Sequence, residues 1–104
     1  MDLLFGVDLS RVSFEWDERK DQANFKKHGI RFKTAARVFL DPDRLVREDL
    51  EHPEELRYDI LGKVEKVLFV VCTLREDNTI RLISARKATA DEKARYERGT
   101  DDFE

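Results

Sequence analysis

The run KVLFVVCTL, Lys66 to Leu74, leaves a fold the fewest choices. Val67, Leu68, Phe69, Val70 and Val71 are all apolar. A strand points successive side chains to opposite faces, so this run has no polar side to offer water and belongs in the middle of a sheet covered on both faces. Cys72 continues the run and is the only cysteine, which excludes an intramolecular disulfide and a cysteine-based metal cluster. In such surroundings a thiol is buried and inert.

The flanking pattern supplies neighbours for that strand. Leu45 to Asp49, Leu56 to Leu61, Val64 to Leu74 and Thr79 to Ala85 read as strands, with turns at Gly62-Lys63 and Asp77-Asn78. Upstream, Val12 to Trp16 alternates as a short strand. Asp17 can cap a helix reaching about His28, where Gly29 suits the left-handed residue that commonly follows. Ala23 and Phe25 are its apolar members, with Trp16 near its start. A second helix covers Lys33 to Leu40 and stops at Asp41-Pro42. Thr89 to Glu92 has capping-box spacing, so a last helix covers Ala90 to Arg98. The expected order is β-α-α-β-β-β-β-α: a small α+β domain with an antiparallel β-sheet, two N-terminal helices and one C-terminal helix.

Length and composition agree with one domain over 1–104, carrying an N-terminal extension (1–13) and an acidic tail (99–104). MDLLFGVDLS reads as neither a signal peptide nor a membrane span, so the expected location is the cytoplasm. Charged residues make up 41% of the chain, against about 25% in an ordinary domain. The formal net charge is only −3, but its distribution is uneven. Arg19 to Arg37 holds seven bases against the single acid Asp21, Asp41 to Glu55 is mainly acidic, and bases return from Arg75 to Arg98. Folding could bring the two basic segments together; it could equally leave them as separate solvated faces.

A Gly-rich phosphate loop, HExxH, paired cysteines and GxSxG are all missing, so nucleotide, zinc and serine hydrolysis lack their usual equipment. The sequence assigns neither a metal site nor a cofactor. The remaining candidates are the histidines and the strand arginines. His28 sits in KKHG beside Lys26 and Lys27, where positive charge also suits a helix C-terminus, and residue type alone favours that ordinary role. His52, in the acidic HPEE segment, reads as a loop residue. Arg57, Arg75, Arg81 and Arg86 lie on or at the ends of strands, and fixed guanidinium groups are what phosphoryl chemistry on RNA needs. Strict alternation puts Arg81 on one face and Ser84 with Arg86 on the other. His28, Glu15, Glu55 or Tyr96 could serve as acid or base.

FEWDERK, NFKKHGIRF followed by VF and DP, Arg57 with the following ILG, and TLRED through IRLISARKAT to YE together resemble the BrnT family of toxins from type II toxin–antitoxin systems. The resemblance runs from Phe14 to about Glu97. It implies a RelE-like fold and a ribonuclease that slows translation. It also implies a BrnA-like antitoxin of ribbon-helix-helix type, which neutralises the toxin and makes the DNA contacts of the complex. On this pattern His28, Arg57, Arg75 and Arg86 become candidate catalytic residues, and Lys26, Lys27, Arg81 and Ser84 candidate RNA contacts. Arg31 departs from the pattern, standing where a Ser or Thr often caps the second helix. A catalytically silent partner or co-repressor is the competing reading. A free-standing DNA-binding regulator lacks a helix rich in base-reading side chains.

Overall fold

The computed structural model describes residues 3, 4 and 6–99. Its main sheet has five strands, in spatial order β3 (Ser13–Glu15), β7 (Thr79–Lys87), β6 (Lys66–Arg75), β5 (Arg57–Val64) and β4 (Leu45–Asp49). β6 is the central strand, as its doubly apolar pattern requires. Leu68, Val70 and Cys72 point into one cluster with Phe32, Val38, Ile60, Ile80 and Leu82. Val67 and Phe69 point the other way, into a smaller cluster with Leu45 and Leu61. Burial pushes the Cys72 thiol up to about 12, so it stays protonated and unreactive.

Helix α1 (Glu18–His28) starts at Asp17, whose carboxylate accepts the Arg19 and Lys20 N–H groups, and ends at Gly29 with φ 72°. Its inward face is not the apolar one expected. Ala23 and Phe25 are exposed, whereas Asp21 and Asn24 are buried. Asn24 donates to the Ile30 carbonyl at 2.8 Å and accepts the Ala85 N–H at 3.1 Å. It thereby fastens α1 to β7 beyond the stretch that β3 pairs. Asp21 accepts the Phe32 N–H at 2.7 Å and so caps helix α2 (Phe32–Ala35) from outside. The cap that Arg31 cannot give is supplied by a neighbouring helix, and Arg31 lies 3.6 Å from that same carboxylate.

The expected second helix is short, because α2 tightens into a 3-10 turn over Ala36–Leu40. That turn drives Val38 onto Gly62, where an added Cβ would lie 2.6 Å from the Val38 Cβ. Gly62 is therefore a close-approach glycine inside β5, paired with Leu68, and not the turn residue that its neighbour Lys63 suggested. The reversal occurs at Glu65, which adopts φ 65°. The Asp77-Asn78 hairpin turn forms as expected, with φ 58° and 55°.

Two further strands precede the expected order: β1 (Leu3–Leu4) and β2 (Val7–Asp8) make a separate hairpin. Leu4 and Val7 join the larger core cluster. Asn78 clasps Asp8 through both backbone groups, at 2.7 and 2.8 Å. The sheet is also mixed rather than wholly antiparallel, since β3 runs parallel to β7. A pairing between the start and end of the chain leaves no trace in local pattern. The last helix, α3 (Ala90–Arg98), keeps the Thr89–Glu92 capping box. Its Tyr96 hydroxyl donates to Asp41, a bond that together with burial raises the phenol's pKa. Among the described residues, no helix is long and apolar enough to cross a membrane. Residues 1, 2 and 5 of the N-terminal extension and 100–104 of the acidic tail lie outside the described residues.

Candidate functional site

The two faces of the sheet receive different residues because of one irregularity. Val71 pairs with Ser84 and Cys72 with Leu82, which leaves Ile83 as a bulge in β7. Without it, Arg81 would face away from Ser84 and Arg86. With it, Leu82 and Ala85 both enter the larger core, and Arg81, Ser84 and Arg86 share the opposite face. Strict alternation had separated them.

That face reads as parallel rungs across the strands. One runs Asp49, Arg57, Thr73, Arg81, Glu15; the next Arg47, Asp59, Val71, Ser84; the third Leu45, Leu61, Phe69, Arg86. Arg75 lies two residues beyond Thr73 on β6 and so points to this side as well. The fold thus brings Arg57, Arg75, Arg81, Ser84 and Arg86 onto one surface.

The guanidinium groups are held by carboxylates. Arg81 donates to Glu15 at 2.6 Å, and Arg75 lies 3.8 Å from the same oxygen. Arg57 grips Glu55 through two nitrogens at 2.9 Å. Arg86 forks onto Glu92 at 2.7 and 3.0 Å, and its guanidinium carbon stands 4.2 Å above the centre of the Phe69 ring. Glu92 is itself bound to the Thr89 N–H; although burial opposes its charge, these bonds hold its carboxyl below the usual range. Arg57, Arg81 and Arg86 are fixed in position while Arg75 is held more loosely, and each partner is a carboxylate that a phosphate can replace.

On the β4 side of this surface lies a concavity of about 710 Å³, whose lining includes Arg47, Asp49, His52, Asp59, Phe69, Ser84, Arg86 and Glu92; Arg57, Arg75 and Arg81 share the face but do not line it. Asp59 is 4% exposed. One of its oxygens accepts from Arg47 at 2.9 Å, while the other has no hydrogen-bond partner among the described residues. Burial, reinforced by Asp49 and Glu51, outweighs Arg47 and raises its carboxyl pKa. Nothing in the chain's charge pattern pointed to Arg47, Asp59 or His52. The available signal was an acid set between Tyr58 and Ile60, inside the apolar stretch of a strand.

Lys26, Lys27 and His28 occupy the last turn of α1 and do not line the concavity. The lysines are exposed and His28 half-buried. Glu15 and Glu55 are engaged with arginines, and Tyr96, its hydroxyl committed to Asp41, lines a different hollow beside Lys63.

Comparison with known proteins now bears on this arrangement. Residues 16–92 match a family model described as the ribonuclease toxin, BrnT, of type II toxin–antitoxin systems. The crystal structure of the Brucella abortus ribonuclease toxin, BrnT, superposes with a TM-score of 0.60 at 25% identity, covering 73% of this chain and 95% of that one. Among curated proteins, none matches the chain significantly.

Proposed function

Because the chain belongs to the BrnT family of ribonuclease toxins of type II toxin–antitoxin systems, we propose that it is an endoribonuclease that cuts RNA without a metal ion and so slows translation. The observation that carries this reading is the bulge-aligned arginine face. Cleavage by an internal ribose 2′-hydroxyl builds negative charge on the phosphate, and fixed guanidinium groups stabilise it as it develops. Arg57, Arg75 and Arg86 take that role in the proposal, and Arg81 and Ser84 bind the neighbouring backbone. Lys26, Lys27 and His28, at the basic end of α1, are proposed to contact the RNA chain outside the concavity. The RelE-like assignment of the fold, a cytoplasmic location and neutralisation by a BrnA-like ribbon-helix-helix antitoxin, through which alone DNA is contacted, belong to the same proposal.

The test uses purified full-length protein with RNA in the presence of EDTA, beside expression in a bacterial host with and without a BrnA-like partner. Cleavage in EDTA, growth arrest, and relief by the partner are the expected results. A well-folded protein that leaves RNA intact and cells growing would favour the competing reading, a silent binding module that acts only inside an antitoxin complex. Arg86→Ala separates the two further: growth arrest lost while the partner is still bound marks cleavage as the cause of the arrest.

A further inference from the structure

Metal-free RNA cleavage needs a group that removes the 2′-hydroxyl proton, and a guanidinium cannot do so near neutrality. The arginine face therefore lacks one component unless an ionisable side chain with accessible lone pairs reaches it. Glu15, Glu55 and Glu92 are occupied by arginines, the buried Asp59 is tied to Arg47, and Glu48 and Glu51, which also line the concavity, are carboxylates and so weaker bases than an imidazole. His52 differs from all of them. Its side chain is 40% exposed, it lines the concavity that also contains Ser84 and Arg86, and its Nδ1 lies 3.2 Å from Asp49 Oδ2.

That contact fixes the ring. A carboxylate only accepts, so in the neutral ring Nδ1 carries the hydrogen and donates it, and Nε2 keeps its lone pair. Asp49 is in turn well placed to do this: its side chain is 11% exposed, and its other oxygen accepts the Glu51 N–H at 2.9 Å. It ends β4 opposite Arg57, on the first rung of the arginine face. A largely buried carboxylate against one imidazole nitrogen, on a ring that lines a hollow shared with Arg86, is an arrangement suited to proton transfer.

We propose that His52, positioned by Asp49, is the general base of the RNA-cleaving site, an inference that rests on the ribonuclease reading above. His52 Nε2 takes the proton from a ribose 2′-hydroxyl as O2′ bonds to phosphorus. The P–O5′ bond breaks, its electron pair goes to O5′, and O5′ takes a proton from water. The products are a 2′,3′-cyclic phosphate and a 5′-hydroxyl end, and the imidazolium returns its proton to solvent. Asp49 does not touch the substrate; it is a positioning residue.

The experiment measures cleavage of a defined RNA oligonucleotide by wild type, His52→Ala, Asp49→Asn and Arg86→Ala, with the 2′-deoxy oligonucleotide as an uncleavable binding probe. His52 stands in an exposed loop, so His52→Ala keeps the fold, which circular dichroism checks. Its kcat is expected to fall about a hundredfold or more, with binding of the deoxy probe unchanged. Added imidazole restores a measurable part of the rate to His52→Ala and none to Arg86→Ala. Asp49→Asn lowers kcat without changing KM and is not rescued by imidazole. Wild type that cuts while His52→Ala cuts equally well overturns this inference and leaves the ribonuclease reading standing. A His52→Ala defect that appears as lost probe binding, with no imidazole rescue, also overturns it. Wild type that leaves the RNA intact overturns both.

Discussion

The same three strands, β5, β6 and β7, build two faces with opposite chemistry. Under the helices, Phe32, Val38, Ile60, Val70, Cys72, Ile80 and Leu82 form a dry cluster in which every one of these side chains is fully buried. On the open face the alternate residues are Arg57, Asp59, Thr73, Arg81 and Arg86; its arginines and Asp59 are held in ion pairs, and Asp59 and Arg86 line a hollow. The first face derives its stability from burial and shape. The second keeps cations fixed by offering them carboxylates, which contributes little to stability because exposed pairs are worth about 0–1 kcal/mol. The difference means that stability and RNA chemistry are largely separable here, one per face. Substitutions can test that separation directly.

The largest expected effect belongs to the covered face. Phe32→Ala removes a fully buried ring and its edge contact with Trp16, and should cost about 3–5 kcal/mol of folding stability. Denaturant unfolding checks the loss; cleavage per folded molecule should stay near wild type. A folded fraction with greatly reduced activity would show that the faces are coupled.

Next comes the open face. Arg86→Ala should lower cleavage by about a hundredfold to a thousandfold, the equivalent of about 2.7–4 kcal/mol of transition-state stabilisation. Its folding stability should change much less, the lost contacts being the Glu92 fork and the stack on Phe69. Single-turnover kinetics and thermal unfolding of the same sample decide the point. If stability falls as far as activity, Arg86 is as much a structural residue as a catalytic one.

Gly62→Ala returns to the covered face. The new Cβ would lie 2.6 Å from Val38 Cβ, an overpacking that costs about 1–3 kcal/mol. Val38→Ala in the same chain should recover part of that loss, because it removes the atoms that clash. Failure to recover would mean that the backbone around Val38, whose carbonyl oxygen stands 3.1 Å from the added Cβ, sets the limit instead.

How much of this was legible follows from range. The caps at Asp17, Gly29 and Thr89, the bounds of β4 and α3, and the central place of β6 all depend on residues near in sequence, and all were readable. Gly62 looked like a turn because a glycine's local signal is the same whether it serves a turn or a close approach. Nothing local marks Asp21 and Asn24 as buried, since their partners at Phe32 and Ala85 are distant in sequence. The candidate site was readable as a set of arginines but not as a surface. Its alignment depends on the Ile83 bulge, and a bulge breaks the alternation from which faces are inferred. His52 read as a loop residue among acids, one of which, Asp49, lies 3.2 Å from its Nδ1.

The smallest effect tests the border between the faces by its sign. Burial raises the Asp59 carboxyl pKa above the ordinary value near 3.8, and Asp49 and Glu51 reinforce this against Arg47. Between the unfolded value and the raised one, the native state holds more protons than the unfolded state, so this group's contribution to stability falls as pH rises through that window. Above the raised value the cost of the buried charge is fully present; near pH 4 it is relieved. Asp59→Asn does not titrate there. The difference in unfolding free energy, variant minus wild type, should therefore move in the variant's favour between about pH 4 and about pH 7. Groups common to both proteins cancel in that difference. A difference that stays flat would mean that Arg47, 2.9 Å away, fully offsets the burial. One that moves the opposite way would make Asp59 a stabilising ion-pair partner, and the open face would then contribute to stability as the covered one does.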